Sequence, residues 1–308
     1  MQKNKGSTLK GVITISLMTA NVLFWSGPLM FVALFKFLIP LSSWRRWTSR
    51  VMIWIAEAWI GTNNAIFRLL GVLEFDLRGG DGLQPDNWYL VVSNHQSWVD
   101  ILVLQAVFIR RIPFLKFFLK QQLIWVPVLG LCWWALDFPF MRRYSSDYLA
   151  KHPEMRGKDL AATKQACEKF REIPTSVMNF VEGTRFTEEK HARMNSPYRH
   201  LLPPRAGGVA FVLSAMGGTL HEMVDVTIVY EDESPTLWDM CCGRLAPVIV
   251  DIRRREIEDW TAQGDYMADP EFKSRFQDWL SGLWEDKDKR FDEIRNERSP
   301  PLVGPPDA

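Results

Sequence analysis

Tyr89 to Asp100 reads YLVVSNHQSWVD. Its first residues form a continuous run of strand formers, the pattern of a strand buried on both faces of a sheet. The run ends at Asn94-His95, and VDILVLQAVFI, from Val99, then reads as a helix. SVMNFV (Ser176 to Val181) and DVTIVY (Asp225 to Tyr230) are further buried-strand patterns. LEFDLRG (Leu73 to Gly79) and PVIVDIRR (Pro247 to Arg254) alternate apolar and polar residues, as edge or half-buried strands do. Helical patterns lie between them, at Lys158 to Glu172, stopped by Pro174, and at Ala206 to Met216. Near the end, Asp269-Pro270 forms an N-cap and first-turn pair. Phe272, Phe276, Trp279, Leu280, Leu283 and Trp284 follow it at helical spacing. Strands alternating with helices predict an α/β fold with a mixed central sheet covered by helices. The Pro-rich tail, residues 297–308, is expected to be disordered.

The 308 residues suffice for one large domain or two small ones. Lys plus Arg is 37 and Asp plus Glu is 36, so the chain lacks the basic surplus a general nucleic-acid binder needs. The 14 Trp and 19 Phe suit a membrane interface, and equally a large core. The four cysteines form no CxxC pair, and Cys241 adjoins Cys242. Reduced thiols facing a cytosol account for them. His152, His191, His200 and His221 are scattered without ligand spacing, and no HExxH motif occurs, so no metal is expected.

Gly11 to Phe35 carries no charge over 25 residues, long enough for a bilayer core of about 30 Å. A cleaved signal peptide would have a shorter apolar core followed by a small-residue site. The stretch therefore reads as an uncleaved membrane anchor, which Gly27-Pro28 could kink into a re-entrant hairpin. Residues 51–70 carry Glu57, Asn63, Asn64 and Arg68, too polar for a simple span. Val51, Trp54, Ile55, Ala58 and Trp59 share one helical face, fitting a helix that lies at the interface or packs on the first. Residues 1–71 are thus read as anchor and interfacial helix, and 72–296 as the globular domain. Three lysines before the anchor against Lys36, Arg45, Arg46 and Arg50 after it lean towards a cytoplasmic domain.

The candidate chemistry sits at strand ends, where a rigid scaffold exposes loop residues. A neutral imidazole at His95 can take a proton from an alcohol. Asp100 can hold its tautomer if His95 lies in the turn before a helix and Asp100 in its first turns. A structural histidine at a helix start is the competing reading. After the Ser176 strand comes Glu182-Gly183-Thr184-Arg185, which joins an acid, a permissive glycine, a hydroxyl and a guanidinium able to grip phosphate. A Glu182–Arg185 ion pair is the bland alternative. Arg142 and Arg143 follow another apolar run, LDFPF. Two phosphate-capable sites at strand ends favour a phosphate-bearing substrate. No GxSxG elbow is present, which counts against a serine esterase. The run LIWVPVLGLCWWAL, Leu123 to Leu136, is short for a span and fits core, head-group layer or acyl-chain guide.

Taken together, these stretches resemble the glycerophospholipid acyltransferase family of the 1-acylglycerol-3-phosphate O-acyltransferase type, most of all a bacterial branch related to the lysocardiolipin acyltransferases. His95 and Asp100 match its HxxxxD block, Phe138 to Arg143 its FxxxxR-like block, and Glu182 to Arg185 its EGTR block. LLPPRAGGVAF resembles the Pro-basic-Gly stretch after EGTR, with Arg205 as the basic residue. Thr227 stands where the last block usually has a proline, and Arg142 where an acid or amide is common. The resemblance covers roughly residues 70 to 255. It implies a general base at His95, oriented by Asp100, that deprotonates the hydroxyl of a lysophospholipid. The acyl donor would be acyl-coenzyme A or acyl carrier protein, used as co-substrate, with no cofactor. Arg143, Glu182, Gly183, Thr184, Arg185 and Arg205 would bind the acceptor. The implied location is the inner membrane, on its phospholipid surface, with the catalytic domain facing the cytoplasm. A silent membrane scaffold on the same fold is the alternative from another class.

Overall fold

In a computed structural model, which describes residues 7–141, 167, 170–231 and 235–297, the run at Tyr89 is β2 (Tyr89–Ser93), buried throughout. With β1 (Phe75–Gly79), β3 (Leu115–Phe117), β6 (Ser176–Phe180), β7 (Glu222–Val229) and β8 (Val248–Glu256) it builds a six-stranded sheet in the order β1-β8-β7-β2-β6-β3. β2 pairs in parallel with both β6 and β7. β8 runs antiparallel to β7 and parallel to the edge strand β1. The sheet is mixed, as expected. Successive residues of β2 enter different layers: Tyr89 and Val91 pack in one apolar cluster, Leu90 and Val92 in the other. A strand with two covered faces has no solvent side, so its sequence does not alternate.

One layer is formed by α1 (Thr8–Leu38), α2 (Ser42–Leu70) and α3 (Val99–Phe108). The other is formed by α6 (Ala206–Met216) and α8 (Pro270–Asn296). Between them in sequence fall α4 (Leu129–Ala135), α5 (Glu188–Arg193) and α7 (Leu237–Cys241). The carboxylate of Asp269 caps α8, accepting the N–H groups of Glu271 at 2.9 Å and Phe272 at 3.0 Å. The Leu123–Leu136 run divides into a 3-10 turn, Gln121–Trp125, and α4. A Cβ on Gly130 would stand 2.1 Å from the Ile124 carbonyl oxygen, so only glycine lets α4 pack against that turn. Short strands β4 (Leu119–Lys120) and β5 (Phe140–Met141) pair beside it.

Helix α1 runs unbroken through Pro28, so the re-entrant hairpin does not form. Proline removes one backbone bond, and a 31-residue helix packed along α2 absorbs that loss. Of the polar residues that set α2 apart from a simple span, Asn63 and Asn64 point inward, while Arg68 is exposed. Asn63 accepts from Asn21 of α1 at 2.8 Å, and Asn64 donates to the Ala106 carbonyl of α3 at 3.4 Å. Near its two ends α1 is fastened to the rest of the chain. The Thr14 hydroxyl donates to the Cys241 carbonyl at 3.1 Å, and Lys36 pairs with Asp137 at 2.6 Å. The expected helix at Lys158 to Glu172 and the tail lie almost wholly outside the described residues.

Candidate active site

The turn after β2 is held before it does anything chemical. The side chain of Asn94 donates to the Ile228 carbonyl at 2.8 Å and accepts the Ile228 N–H at 2.9 Å. That amide pairs with β7 as a strand residue would, and pins the end of β2. Asp100 is the second residue of α3. Its Oδ2 reaches back to accept the N–H groups of Gln96 at 2.7 Å and Ser97 at 2.9 Å. An acid in a first helical turn meets the positive end of the helix dipole. The same Oδ2 lies 2.8 Å from His95 Nδ1. The five-residue spacing works because His95 sits in the turn and Asp100, in the first turn of the helix behind it, reaches back over that turn.

Asp100 is fully buried, and its Oδ1 accepts the hydroxyl of Tyr230 at 2.6 Å. Burial, reinforced by the neighbouring Asp100 charge, pushes the Tyr230 phenol well above its usual range. Four donors, the N–H groups of Gln96 and Ser97, His95 Nδ1 and the Tyr230 hydroxyl, converge on one carboxylate. The His95 ring stacks on Phe180, the last residue of β6, with centroids 3.9 Å apart. With Nδ1 facing Asp100, Nε2 is the nitrogen left to meet a substrate proton.

The second motif follows β6. Gly183 has φ +68°, a turn conformation that glycine adopts without strain. Two backbone contacts join the motifs: the Phe186 N–H donates to the His95 carbonyl at 2.7 Å, and Glu182 accepts the His95 N–H at 3.4 Å. Glu182 is buried, which pushes its carboxyl well above the usual range despite bonds from the His95 and Leu202 N–H groups. It serves as an internal bracket for the turn. The ion-pair alternative is not what forms, because Arg185 points outward from the Gly183 turn. Its guanidinium lies 4.9 Å from the Trp98 ring, and both residues are exposed.

Of the remaining candidates, Arg205 stands exposed at the start of α6, and its backbone N–H donates to the Val181 carbonyl at 2.8 Å, beside Glu182. Arg142 and Arg143 lie outside the described residues. Phe138 is buried against Phe114, and Phe140 opens β5. The structure thus gathers His95, Asp100, Glu182, Gly183, Thr184 and Arg185 at neighbouring strand ends. It adds Asn94 and Tyr230, which sequence reasoning missed. Their contacts span 134 and 130 residues, so only strand order reveals them. Among the described residues no cluster of three or more metal-ligating side chains occurs. A cavity of about 550 Å³ opens between the end of α1, the start of α2 and the 134–140 segment; Phe138 and Phe140 line it, and His95, Asp100 and the residues 182–185 do not.

A histidine–aspartate pair thus stands at the end of a central parallel strand, bonded through its backbone to the glycine turn after the next strand. The family model described as acyltransferase matches residues 74–231, and the chain belongs to that family. Among curated relatives, 1-acyl-sn-glycerol-3-phosphate acyltransferase delta of Rattus norvegicus is 24% identical over 254 residues, 78% of this chain and 60% of that protein. Lysocardiolipin acyltransferase 1 of Gallus gallus is 25% identical over 279 residues, 86% of this chain and 66% of that one. The chain therefore spans about three fifths of the length of the first of these. The crystal structure of the 1-acyl-sn-glycerophosphate acyltransferase PlsC from Thermotoga maritima shares the fold. Its TM-score is 0.56 at 16% identity, covering 95% of this chain and 97% of that chain.

Proposed function

We propose that this protein is a membrane-bound O-acyltransferase that transfers a fatty acyl group to the free hydroxyl of a lysophospholipid. The acceptor we favour is 1-acylglycerol 3-phosphate, giving phosphatidic acid; the donor is acyl-coenzyme A or acylated carrier protein. The observation that carries the reading is the His95–Asp100 pair, 2.8 Å apart, beside the Gly183 turn. Asp100 holds Nδ1 protonated, so Nε2 is the base. It takes the acceptor hydroxyl proton as the oxygen attacks the thioester carbonyl. The tetrahedral intermediate collapses, the thiolate leaves, and His95 returns the proton to sulfur. No covalent intermediate on the protein is required. Arg185, Thr184 and the turn backbone, with Arg143 and Arg205, hold the acceptor phosphate. An arginine fork matches two phosphate oxygens. The likeness to lysocardiolipin acyltransferase 1 supports a second acceptor, lysocardiolipin, with the same chemistry.

Helix α1 is the one described helix long and apolar enough to cross a membrane. Its fastenings at Thr14 and Lys36 are 22 residues apart, about 33 Å along the helix. The domain thus flanks α1 over that length, and Leu23, Phe24, Phe31 and Leu34 remain exposed along it. We assign this apolar face to the inner membrane, with the site facing the cytoplasm, where the acyl donors are.

The test is an assay of membranes carrying the protein, with lysophosphatidate, lysocardiolipin and glycerol 3-phosphate against both donors. Transfer lost in His95→Ala, with membrane location unchanged, is the expected result. Free fatty acid without transfer would mean a hydrolase, and no reaction with any pair would mean a scaffold.

A further inference from the structure

Lys190 is the third residue of α5, and its place is fixed twice over. Its backbone N–H donates to the Thr187 hydroxyl at 3.2 Å, the N-cap of that helix. Its amine reaches back over the Gly183 turn to the Thr184 hydroxyl oxygen and the Arg185 carbonyl, each at 2.8 Å. Both acceptors are neutral. Among the described residues no carboxylate forms an ion pair with it. The charges acting on it are mostly cationic: Arg185, Arg193 and Lys120, with Glu189 the one acid. Glu189 itself lies 3.9 Å from Arg193. Partial burial and these cations together lower the Lys190 amine below its ordinary range.

A stitch that only braced a turn would gain nothing from standing beside the Arg185 cation, since like charges repel. An anion between the two would reverse the sign of that interaction. The hydroxyl geometry points the same way. A threonine hydroxyl has one proton. With an oxygen lone pair occupied by the ammonium, the Thr184 proton turns away from Lys190 and is free to be donated. The second amine contact fixes the carbonyl of Arg185, and with it the backbone from which the guanidinium extends.

Resting on the acceptor reading above, we propose that Lys190 is a positioning residue of the phosphate grip: it orients the Thr184 hydroxyl as a donor, sets the Arg185 backbone, and adds positive field at the acceptor's anionic head group. It does not touch the reacting atoms. Its effect belongs to acceptor binding, not to the proton transfer at His95.

The experiment is calorimetric titration of the full chain in detergent with glycerol 3-phosphate and with inorganic phosphate. Wild type is compared with Lys190→Met, Lys190→Arg, Thr184→Val and the Lys190→Met/Thr184→Val pair. Lys190→Met should weaken head-group binding roughly tenfold, the scale of one charge-assisted contact. Lys190→Arg should keep most of the affinity, which also guards against a merely misfolded variant. The double variant should be no weaker than the poorer single one, because one interaction is removed twice. In the transfer assay the KM for the acceptor should rise by the same factor, with kcat and the donor KM unchanged. Wild-type affinity in Lys190→Met, or equal loss for both substrates with a lowered melting temperature, overturns the proposal. Absence of head-group binding in the wild type overturns it together with the phosphate reading. Head-group binding lost in Lys190→Met, in a protein that transfers no acyl group, leaves the proposal standing and removes the enzymatic reading alone.

Discussion

Asp100 lets orientation and charge be separated. In Asp100→Asn the amide oxygen can take the place of Oδ2 and still accept the N–H groups of Gln96 and Ser97 and the Nδ1–H of His95. The amide nitrogen then faces Tyr230, whose hydroxyl oxygen can turn from donor to acceptor. The imidazole keeps its tautomer, and the one bond given up is that of the Tyr230 O–H, which loses its carboxylate acceptor. What disappears is the negative charge facing the imidazolium that forms in the transition state. A charge-assisted bond contributes about 1.5–3 kcal/mol, so kcat should fall by roughly 10- to 100-fold at nearly unchanged KM. Asp100→Ala differs in kind. It strands four donors in a buried site, at about 1–3 kcal/mol each. Their sum, about 4–12 kcal/mol, compares with the whole stability of a typical domain, so this variant should not accumulate as folded protein. Single-turnover transfer and thermal unfolding of both variants, beside His95→Ala, provide the assay. His95→Ala should lose about 10²–10⁴ in rate and set the floor. Asp100→Asn within twofold of wild type would refute the electrostatic role. Asp100→Ala as stable as wild type would refute the contact network.

Tyr230→Phe removes a single bond to Asp100; kcat should drop about three- to tenfold, and unchanged steady-state kinetics would contradict a share for Tyr230 in holding the pair. Glu182 has a folded pKa raised by burial, so its contribution to stability is whole below the unfolded value near 4.3 and is lost as pH rises towards the folded value. Glu182→Gln should therefore gain melting temperature relative to wild type as pH climbs from about 4.5, and a pH-independent difference would argue against a protonated carboxyl. Arg185→Ala should raise the acceptor KM roughly ten- to a hundredfold and spare the donor KM; Arg185→Lys should recover part of this, since an ammonium cannot reproduce the planar fork, and full recovery would speak against a bidentate grip.

What the sequence disclosed is what the chain encodes locally. β2 was legible because burial on both faces leaves an unbroken apolar run, and α6 because its apolar residues are bounded by a turn at each end. The His95–Asp100 contact was legible as soon as a helix start was placed between them. What stayed hidden depends on strand order. β3 has three residues, too few to show a period. Tyr230 meets Asp100, and Asn94 meets Ile228, only because β7 lies next to β2. Lys287 shows the same limit most sharply. In the stretch EDKDKR it reads as part of a solvated helix face. Yet it is buried, pairs with Asp225 and donates to the Val226 carbonyl at 2.6 Å. Removing one partner of such a buried pair usually costs several kcal/mol, so α8 is bound to β7 through it. The Thr227 hydroxyl lies 3.4 Å from the same amine. A residue without a hydroxyl at position 227 would offer Lys287 no such contact. Through Lys287 the C-terminal helix thus holds the strand that, three residues beyond Thr227, presents Tyr230 to the back of Asp100.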